Sequence, residues 1–288
     1  MRVGINEVLI YNRASGARQR EFQLLPEVIK QLREINSECI IYVSKQLSDD
    51  IIMKLRGDEN NAKIVKVPVP SVPTYQRIRR GMHYWQRQIV KDRLDVFHTA
   101  YYPVPILRIP AVLTVQDLRF LHMRETYSRA RYWFLRSVVP SSVRMATRIV
   151  TISNNTKDDL INYFDVPSEK IDVSYIPISV SLPGSDNGTR AREIKEKFNL
   201  PDKFILYVGN LEPRKNLPRL LQAFMMLGRN CAYKLVILGK PEWGSNTLFD
   251  MVKQNHFQNN IIFTGYVDEE DLFPIYRLAS LLVFPSLH

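Results

Sequence analysis

Residues 204–220, FILYVGNLEPRKNLPRL, decide how the rest of the chain is read. The apolar run Phe204–Val208 closes in Gly209, a short polar turn follows, and an amphipathic helix begins near Asn216. Strand, turn and helix in that order form the repeating unit of an α/β protein. Two adjacent cations, Arg214 and Lys215, stand in the turn just ahead of the helix N-terminus. A helix end presents partial positive charge and free N–H groups, and Arg and Lys add full charges. Such a turn suits a phosphate-bearing ligand, and it is equally the composition of a solvated basic loop.

The same rhythm extends in both directions. Helix Arg190–Phe198 precedes the stretch. Strand Tyr233–Leu238, helix Thr247–Gln254, strand Ile261–Gly265, helix Glu269–Leu278 with Asp268 as its cap, and strand Leu281–Pro285 follow it. Upstream, strands are expected over Arg2–Ile10, Cys39–Val43, Ala62–Val67, Asp95–His98, Ala111–Val115, Arg148–Ile152 and Ile171–Tyr175. Helices are expected over Arg18–Ile35, Gln46–Arg56, Tyr75–Lys91 and Ser128–Met145, with one more capped by Ser153; Pro26 should kink or restart the first. Strands alternating with helices imply parallel sheets joined by right-handed crossovers. The segment PISVSLPGSDNGT, Pro177–Thr189, interrupts the pattern and reads as a linker. The expected domains are therefore residues 1–177 and 190–288, joined by a linker over 178–189.

At 288 residues, 45% hydrophobic and 24% charged, the chain has the length and composition of two ordinary globular domains. No apolar run approaches the roughly 20 residues that span a bilayer, and MRVGINEVLI is not read as a signal peptide. Cys39 and Cys231 are far apart in apolar or strand-like settings and read as reduced thiols, which favours the cytoplasm. The net charge is +11, and residues 77–148 alone hold 14 basic and 4 acidic side chains. That segment suits an anionic membrane face, an anionic substrate or nucleic acid. Nucleic acid is disfavoured: no zinc finger or RNA-recognition motif occurs, and the aromatic–basic interleaving lies on helices with a core face. No G-x-G-x-x-G, Walker A lysine motif, H-E-x-x-H, D-x-D or close Cys/His cluster is present. The expectation is no resident cofactor and no metal.

Several segments, in order, carry a resemblance over nearly the whole chain: LDVFHTAYYPVP, AVLTVQDLRF, RIVTISNNTKDDL with VPSEKIDVSYIPISV, YVGNLEPRKNLPRLLQAF, KLVILGK, IIFTGYV and LLVFPSLH. The ordered set resembles the retaining, nucleotide-sugar-dependent glycosyltransferases of family 4, of GT-B architecture. The resemblance implies two Rossmann-like domains facing a cleft. The C-terminal one holds a nucleotide diphosphate sugar as substrate, and the N-terminal one holds a glycan or lipid-linked acceptor against an anionic membrane surface. Carried over by position, Arg214 and Lys215 would grip the diphosphate and stabilise charge on the leaving group. Gly16 would let the first loop approach the phosphates or sugar. Asn210 follows the strand-ending glycine, and Tyr266 and Val267 stand where the family meets the nucleobase or simply packs a loop. On the acceptor side, His98 and Asp117 would face the cleft, or act as structural residues, and Tyr101 and Tyr102 would stack on a sugar or pack.

Four departures qualify these expectations. Gln116 stands where the family often has His; it can hydrogen-bond a sugar but cannot take a proton. Asn210 replaces a common Arg. The first loop, RASGARQRE, lacks the usual second glycine, so Arg18 or Arg20 supplies charge there or lies on the exposed face of the first helix. The sequence also reaches His288 where a two-glutamate donor motif, further strands and a returning helix are expected. An incomplete second domain and weak or absent transfer by these 288 residues are therefore expected. The E-P-R-K-N turn resembles enzymes of bacterial surface polysaccharide and lipopolysaccharide synthesis, often mannosyltransferases. The competing readings are a non-catalytic basic binder of membrane or nucleic acid, and another GT-B enzyme such as a sugar-nucleotide epimerase.

Overall fold

Alternate residues of one strand, Glu38–Ser44, divide between two cores. Cys39, Ile41 and Val43 pack into one cluster, Ile40 and Tyr42 into another. Successive side chains of a strand point to opposite faces, so this strand is covered on both, as in a parallel sheet with helices above and below. In the computed structural model of the chain, residues 1–10, 16–57, 62–70, 74–176, 189–241 and 245–287 are described, with the backbone alone at 16, 17, 19, 82 and 269. The chain forms two compact units, Met1–Val180 and Ser181–His288. The linker expected over 178–189 lies, but for Thr189, outside the described residues.

The N-terminal unit runs β1 (Arg2–Asn6), α1 (Gly16–Glu34), β2 (Glu38–Ser44), α2 (Asp49–Arg56), β3 (Ala62–Val67), α3 (Thr74–Asp92) and β4 (Val96–Thr99). It continues through β5 (Ala111–Val115), α4 (Arg119–His122), α5 (Arg129–Met145), β6 (Arg148–Thr151), α6 (Asn154–Phe164) and β7 (Ile171–Val173). The seven strands are parallel in the order β3-β2-β1-β4-β5-β6-β7. The chain builds outward from β1 and then returns to its other edge at β4. In open α/β sheets ligands bind beyond the carboxyl ends of the strands at such a reversal. Leu25 and Ile29 of α1 pack with Ile5 and Ile41, while Trp85 and Ile89 of α3 pack with Tyr42 and Phe97.

The C-terminal unit runs α7 (Thr189–Phe198), β8 (Phe204–Val208), α8 (Leu217–Met226), β9 (Lys234–Leu238), α9 (Asn246–Gln254), β10 (Ile261–Gly265), α10 (Glu269–Leu278) and β11 (Leu281–Leu282). Its parallel sheet has the order β10-β9-β8-β11. The wholly buried Asp271 of α10 accepts from Arg190 at 2.5 Å and Lys197 at 2.6 Å, fastening α7 to α10.

Three expectations about local structure are corrected. The first helix does not restart at Pro26 but runs through it, with Leu25 and Ile29 buried on its core stripe. The first strand ends at Asn6, where the Ile10 amide donates to the Glu7 carbonyl in a turn. The last strand pairs over two residues rather than five. Ser153 caps α6 by accepting the Thr156 N–H at 3.2 Å, whereas Asp268 stands at the cap position of α10 without a side-chain capping bond.

Candidate functional sites

In the C-terminal unit, β8 and β9 both end in a glycine of positive φ, Gly209 at 148° and Gly239 at 151°. A Cβ on Gly239 would lie 2.0 Å from the Gly209 carbonyl oxygen, so the two backbones approach in a way that a side chain forbids. This contact, with the Leu211 N–H donating to the Lys240 carbonyl at 3.0 Å, fixes the loop that carries the two cations. Pro213–Lys215 forms one 3-10 turn, Asn216 takes a left-handed conformation (φ 58°), and α8 starts at Leu217.

Neither cation extends into bulk water. Arg214 is 23% exposed and donates from Nε to Glu212 Oε2 at 2.7 Å and from Nη2 to Oε1 at 3.4 Å. Glu212 engages two of the five guanidinium donors and so aims the rest. Lys215 Nζ lies 4.2 Å from the centre of the Phe284 ring, which stacks on the buried Tyr207 with 14° between planes. The Leu287 N–H donates to the Arg214 carbonyl at 2.9 Å. The arrangement is a half-buried pair of oriented cations at the carboxyl edge of a parallel sheet, which is suited to a diphosphate.

The other C-terminal candidates separate. Asn210 is exposed, and its carbonyl accepts the Glu212 N–H at 2.8 Å and the Tyr207 hydroxyl at 3.3 Å. Tyr266 is 51% exposed with Lys240 Nζ 4.1 Å over its ring, leaving an aromatic face for stacking. The Val267 side chain is buried with Leu238 and Ile275, so only its backbone can meet a ligand.

In the N-terminal unit, the sheet reversal brings together the loops after β1 and β4. Tyr101 donates its hydroxyl to Glu7 Oε2 at 3.0 Å, and its N–H to Thr99 Oγ1 at 3.3 Å. Asn6 Nδ2 donates to the same threonine oxygen at 3.2 Å. Glu7 has no exposed surface, and its Oε1 has no partner among the described residues. Burial, followed by the charge of Glu21, pushes the Glu7 carboxyl well up, and Tyr101 rises with it. Arg20 and Glu21, each 3% exposed, form a buried ion pair at 2.5 Å. The alternative that placed Arg20 on an exposed helix face is thereby corrected: its charge is consumed by the next residue, inside. Arg18 sits over the Phe22 ring, 5.4 Å from its centre.

His98 Nε2 lies 2.8 Å from Thr114 Oγ1, and burial first, then the Arg20 charge, lowers its pKa to about 4. It is a neutral imidazole at physiological pH. Gly16 opens α1. Gln116 is half-buried and its carbonyl accepts from Thr156 Oγ1 at 3.5 Å, while the exposed Asp117 accepts the Arg119 N–H at 3.1 Å and shapes the start of α4. Tyr101 and Tyr102 line a cavity of about 330 Å³, with α3 forming its opposite wall. Among the described residues no group of three or more His, Cys, Asp or Glu is placed to hold a metal.

Sequence reasoning passed over Glu7, Glu212, Lys240 and Phe284. An acid inside an otherwise apolar stretch, and an acid two residues before an arginine, were the available signals.

The profile described as Glycosyltransferase Family 4 matches residues 27–182, and that described as Glycosyl transferases group 1 matches residues 190–288. The chain is 26% identical over 221 residues to O-antigen chain mannosyltransferase B of Escherichia coli, covering 75% of this chain and 57% of that protein. It is 33% identical over 153 residues to the serotype-specific mannosyltransferase WbdA of Escherichia coli, covering 50% of this chain and 18% of that protein. The chain thus spans little more than half the length of the first of these relatives. In fold it is similar to Anabaena Alr3699/HepE in complex with UDP and glucose (TM-score 0.66, 13% identity, 99% of this chain and 74% of that one). It is equally similar to WaaG, a glycosyltransferase involved in lipopolysaccharide biosynthesis (TM-score 0.66, 14% identity, 99% and 75%).

Proposed function

This chain belongs to glycosyltransferase family 4 and has the GT-B fold, and from that premise we propose that it moves a hexose, with mannose favoured, from a nucleotide diphosphate sugar to a glycan or lipid-linked acceptor with retention at the transferred carbon. The observation that carries the reading is the oriented pair Arg214 and Lys215, braced by Glu212 and Phe284. As the bond from the sugar carbon to the diphosphate oxygen breaks, negative charge grows on that oxygen, and two fixed cations lower the energy of that charge. The acceptor hydroxyl bonds to the same carbon and gives its proton to the departing diphosphate. Tyr266, over Lys240, offers a face to the base of the nucleotide. The choice of mannose and of surface-polysaccharide synthesis is supported by the two mannosyltransferase relatives.

In the N-terminal unit the neutral His98 is assigned to holding Thr114 rather than to proton transfer, and Asp117 and Gln116 to shaping the acceptor side. The arginines of α3 and α5 support a position against an anionic membrane surface at the cytoplasmic face. Among the described residues no helix is long and apolar enough to cross a membrane.

A titration of this chain with GDP, UDP and ADP and their sugars tests the reading. Binding of at least one diphosphate, lost in Arg214→Ala, is expected. Absence of binding to every one of them would overturn it.

A further inference from the structure

Three loops at the carboxyl edge of the C-terminal sheet are bonded to one another in sheet order. The Gly209 N–H donates to the Leu238 carbonyl at 2.9 Å, the Leu211 N–H to the Lys240 carbonyl at 3.0 Å, and the Gly239 N–H to the Gly265 carbonyl at 2.8 Å. Because β9 lies between β8 and β10, the loop bearing Lys240 lies between the one bearing Arg214 and Lys215 and the one bearing Tyr266. Neighbouring strands are about 4.8 Å apart, which sets the outer two loops about 10 Å from each other. With a diphosphate on the first loop and a base on the third, the ribose and the phosphate next to it come over the second, within reach of a lysine side chain there.

Lys240 is held loosely. Leu211 pins its carbonyl, but its half-buried ammonium rests on the Tyr266 ring, with Nζ 4.1 Å from the ring centre. Arg214, by contrast, is tied to the carboxylate of Glu212. A cation over an exposed ring is favoured by a factor of about two to five, and a charge-assisted hydrogen bond by a factor of about ten or more. An ammonium within reach of both therefore takes the phosphate oxygen. Lysine makes that exchange without moving its backbone, since its charge is a compact point on a flexible four-carbon stem. Tyr266 is 51% exposed, and departure of the ammonium opens the ring face on the side of the middle loop, from which the phosphates approach.

We infer that Lys240 is a third phosphate-binding cation of this site, resting on Tyr266 until a diphosphate draws it away, and that phosphate binding thereby opens the tyrosine face to a base. The inference rests on the transferase reading and adds to its donor site a coupling between the phosphate and base ends of one ligand. Each end alone must displace the ammonium from the ring, whereas the two together displace it once. The size of the coupling is what the ammonium loses on leaving the ring, a factor of about two to five. Linkage makes it reciprocal: the base gains as much from the phosphate as the phosphate gains from the base.

The test is calorimetric titration of the full 288-residue chain with uridine, guanosine and adenosine, each alone and with saturating inorganic pyrophosphate. At least one nucleoside is expected to bind about two- to fivefold more tightly when pyrophosphate is present. Lys240→Ala should move the two ligands in opposite directions. Pyrophosphate weakens about threefold or more, while the nucleoside by itself binds as tightly as it binds the parent with pyrophosphate. Tyr266→Leu should weaken the nucleoside yet strengthen pyrophosphate about two- to fivefold, because the lysine is no longer held. A misfolded variant weakens both ligands, so opposed signs identify the exchange; should either variant melt early, the coupling in the parent decides. Nucleoside affinity unchanged or lowered by pyrophosphate, or parental pyrophosphate affinity in a folded Lys240→Ala protein, would each overturn the inference. GDP, UDP and ADP titrated into the same sample separate the two readings. Diphosphate binding without the coupling sinks this inference and leaves the transferase standing, whereas no binding of any diphosphate sinks both.

Discussion

Tyr101 donates its phenolic hydrogen to a Glu7 carboxyl oxygen 3.0 Å away, joining the loop after β4 to the end of β1 where the strand order reverses. The tyrosine is also part of the cavity wall, so a buried acid sets the position of a side chain that a ligand would meet. Charge on that acid is disfavoured by burial and by Glu21, and the Tyr101 hydrogen bond and Arg20 only partly compensate.

The first prediction concerns pH. The folded-state pKa of Glu7 lies well above its ordinary 4.5, so the folded protein keeps a proton that the unfolded chain releases. Stability from this site is complete below pH 4.5 and is lost as pH rises toward the raised value. Glu7→Gln has the shape of the protonated acid and no proton to lose. Its melting temperature is expected to equal that of the parent near pH 4 and to exceed it at pH 8 by about 2–4 °C, the shift that about 1 kcal/mol produces in a chain of this size. Parallel pH profiles for the two proteins would show that Glu7 is ionised.

At the other unit, Arg214→Ala and Lys215→Ala should each weaken nucleotide diphosphate binding about tenfold or more, the worth of a charge-assisted hydrogen bond. Glu212→Ala frees the Arg214 side chain instead of removing it, and a smaller loss is expected. Calorimetry on the three variants checks the order, and an Arg214→Ala protein that binds like the parent would remove the cation pair from the site.

Gly239→Ala places a methyl carbon 2.0 Å from the Gly209 carbonyl oxygen at a φ of 151° that side chains rarely adopt. Backbone must shift, and a cost of about 3 kcal/mol is expected, read as a lowered urea midpoint. Gly228→Ala also has positive φ (80°) but meets nothing within 4 Å, so it serves as the control for strain without collision and should cost less.

Removing the carboxylate in Asp271→Ala leaves Arg190 and Lys197 without the buried anion that joins α7 to α10. Both cations are about half exposed and water can reach them, so the loss should be about 1–3 kcal/mol rather than the larger cost of a stranded buried charge. Faster amide exchange in α7 than in α8 is the accompanying signature; equal protection in parent and variant would show that the clamp is idle.

Where the sequence was legible, one physical signal dominated. Phe204–Val208, Ala62–Val67, Ala111–Val115 and Ile261–Gly265 are strands with the expected bounds, because each is a segment rich in β-branched or aromatic residues stopped by a turn former or a polar residue. Arg214 and Lys215 were legible as adjacent cations, but their bracing was not. Phe284 lies some seventy residues away, and nothing local distinguishes it from a core aromatic. Arg20 read either as charge for the first loop or as the exposed face of the first helix, and only the fold shows that it pairs with Glu21 in the interior. Glu7 escaped because the expected strand ran through it to Ile10, whereas the strand ends at Asn6. At Pro26 the restart alternative failed for the opposite reason: a local rule about broken helices yielded to the burial of its neighbours Leu25 and Ile29.

The place of β1 between β2 and β4 also shapes how the chain leaves the ribosome. The partner of its second edge, including Thr99, is made 93 residues after Asn6. At about 5–20 residues per second that edge stays open for about 5–20 s. A strand placed inside the sheet thus waits for a partner made much later, and a pause in synthesis before residue 99 would prolong the interval in which another nascent chain could take β4's place.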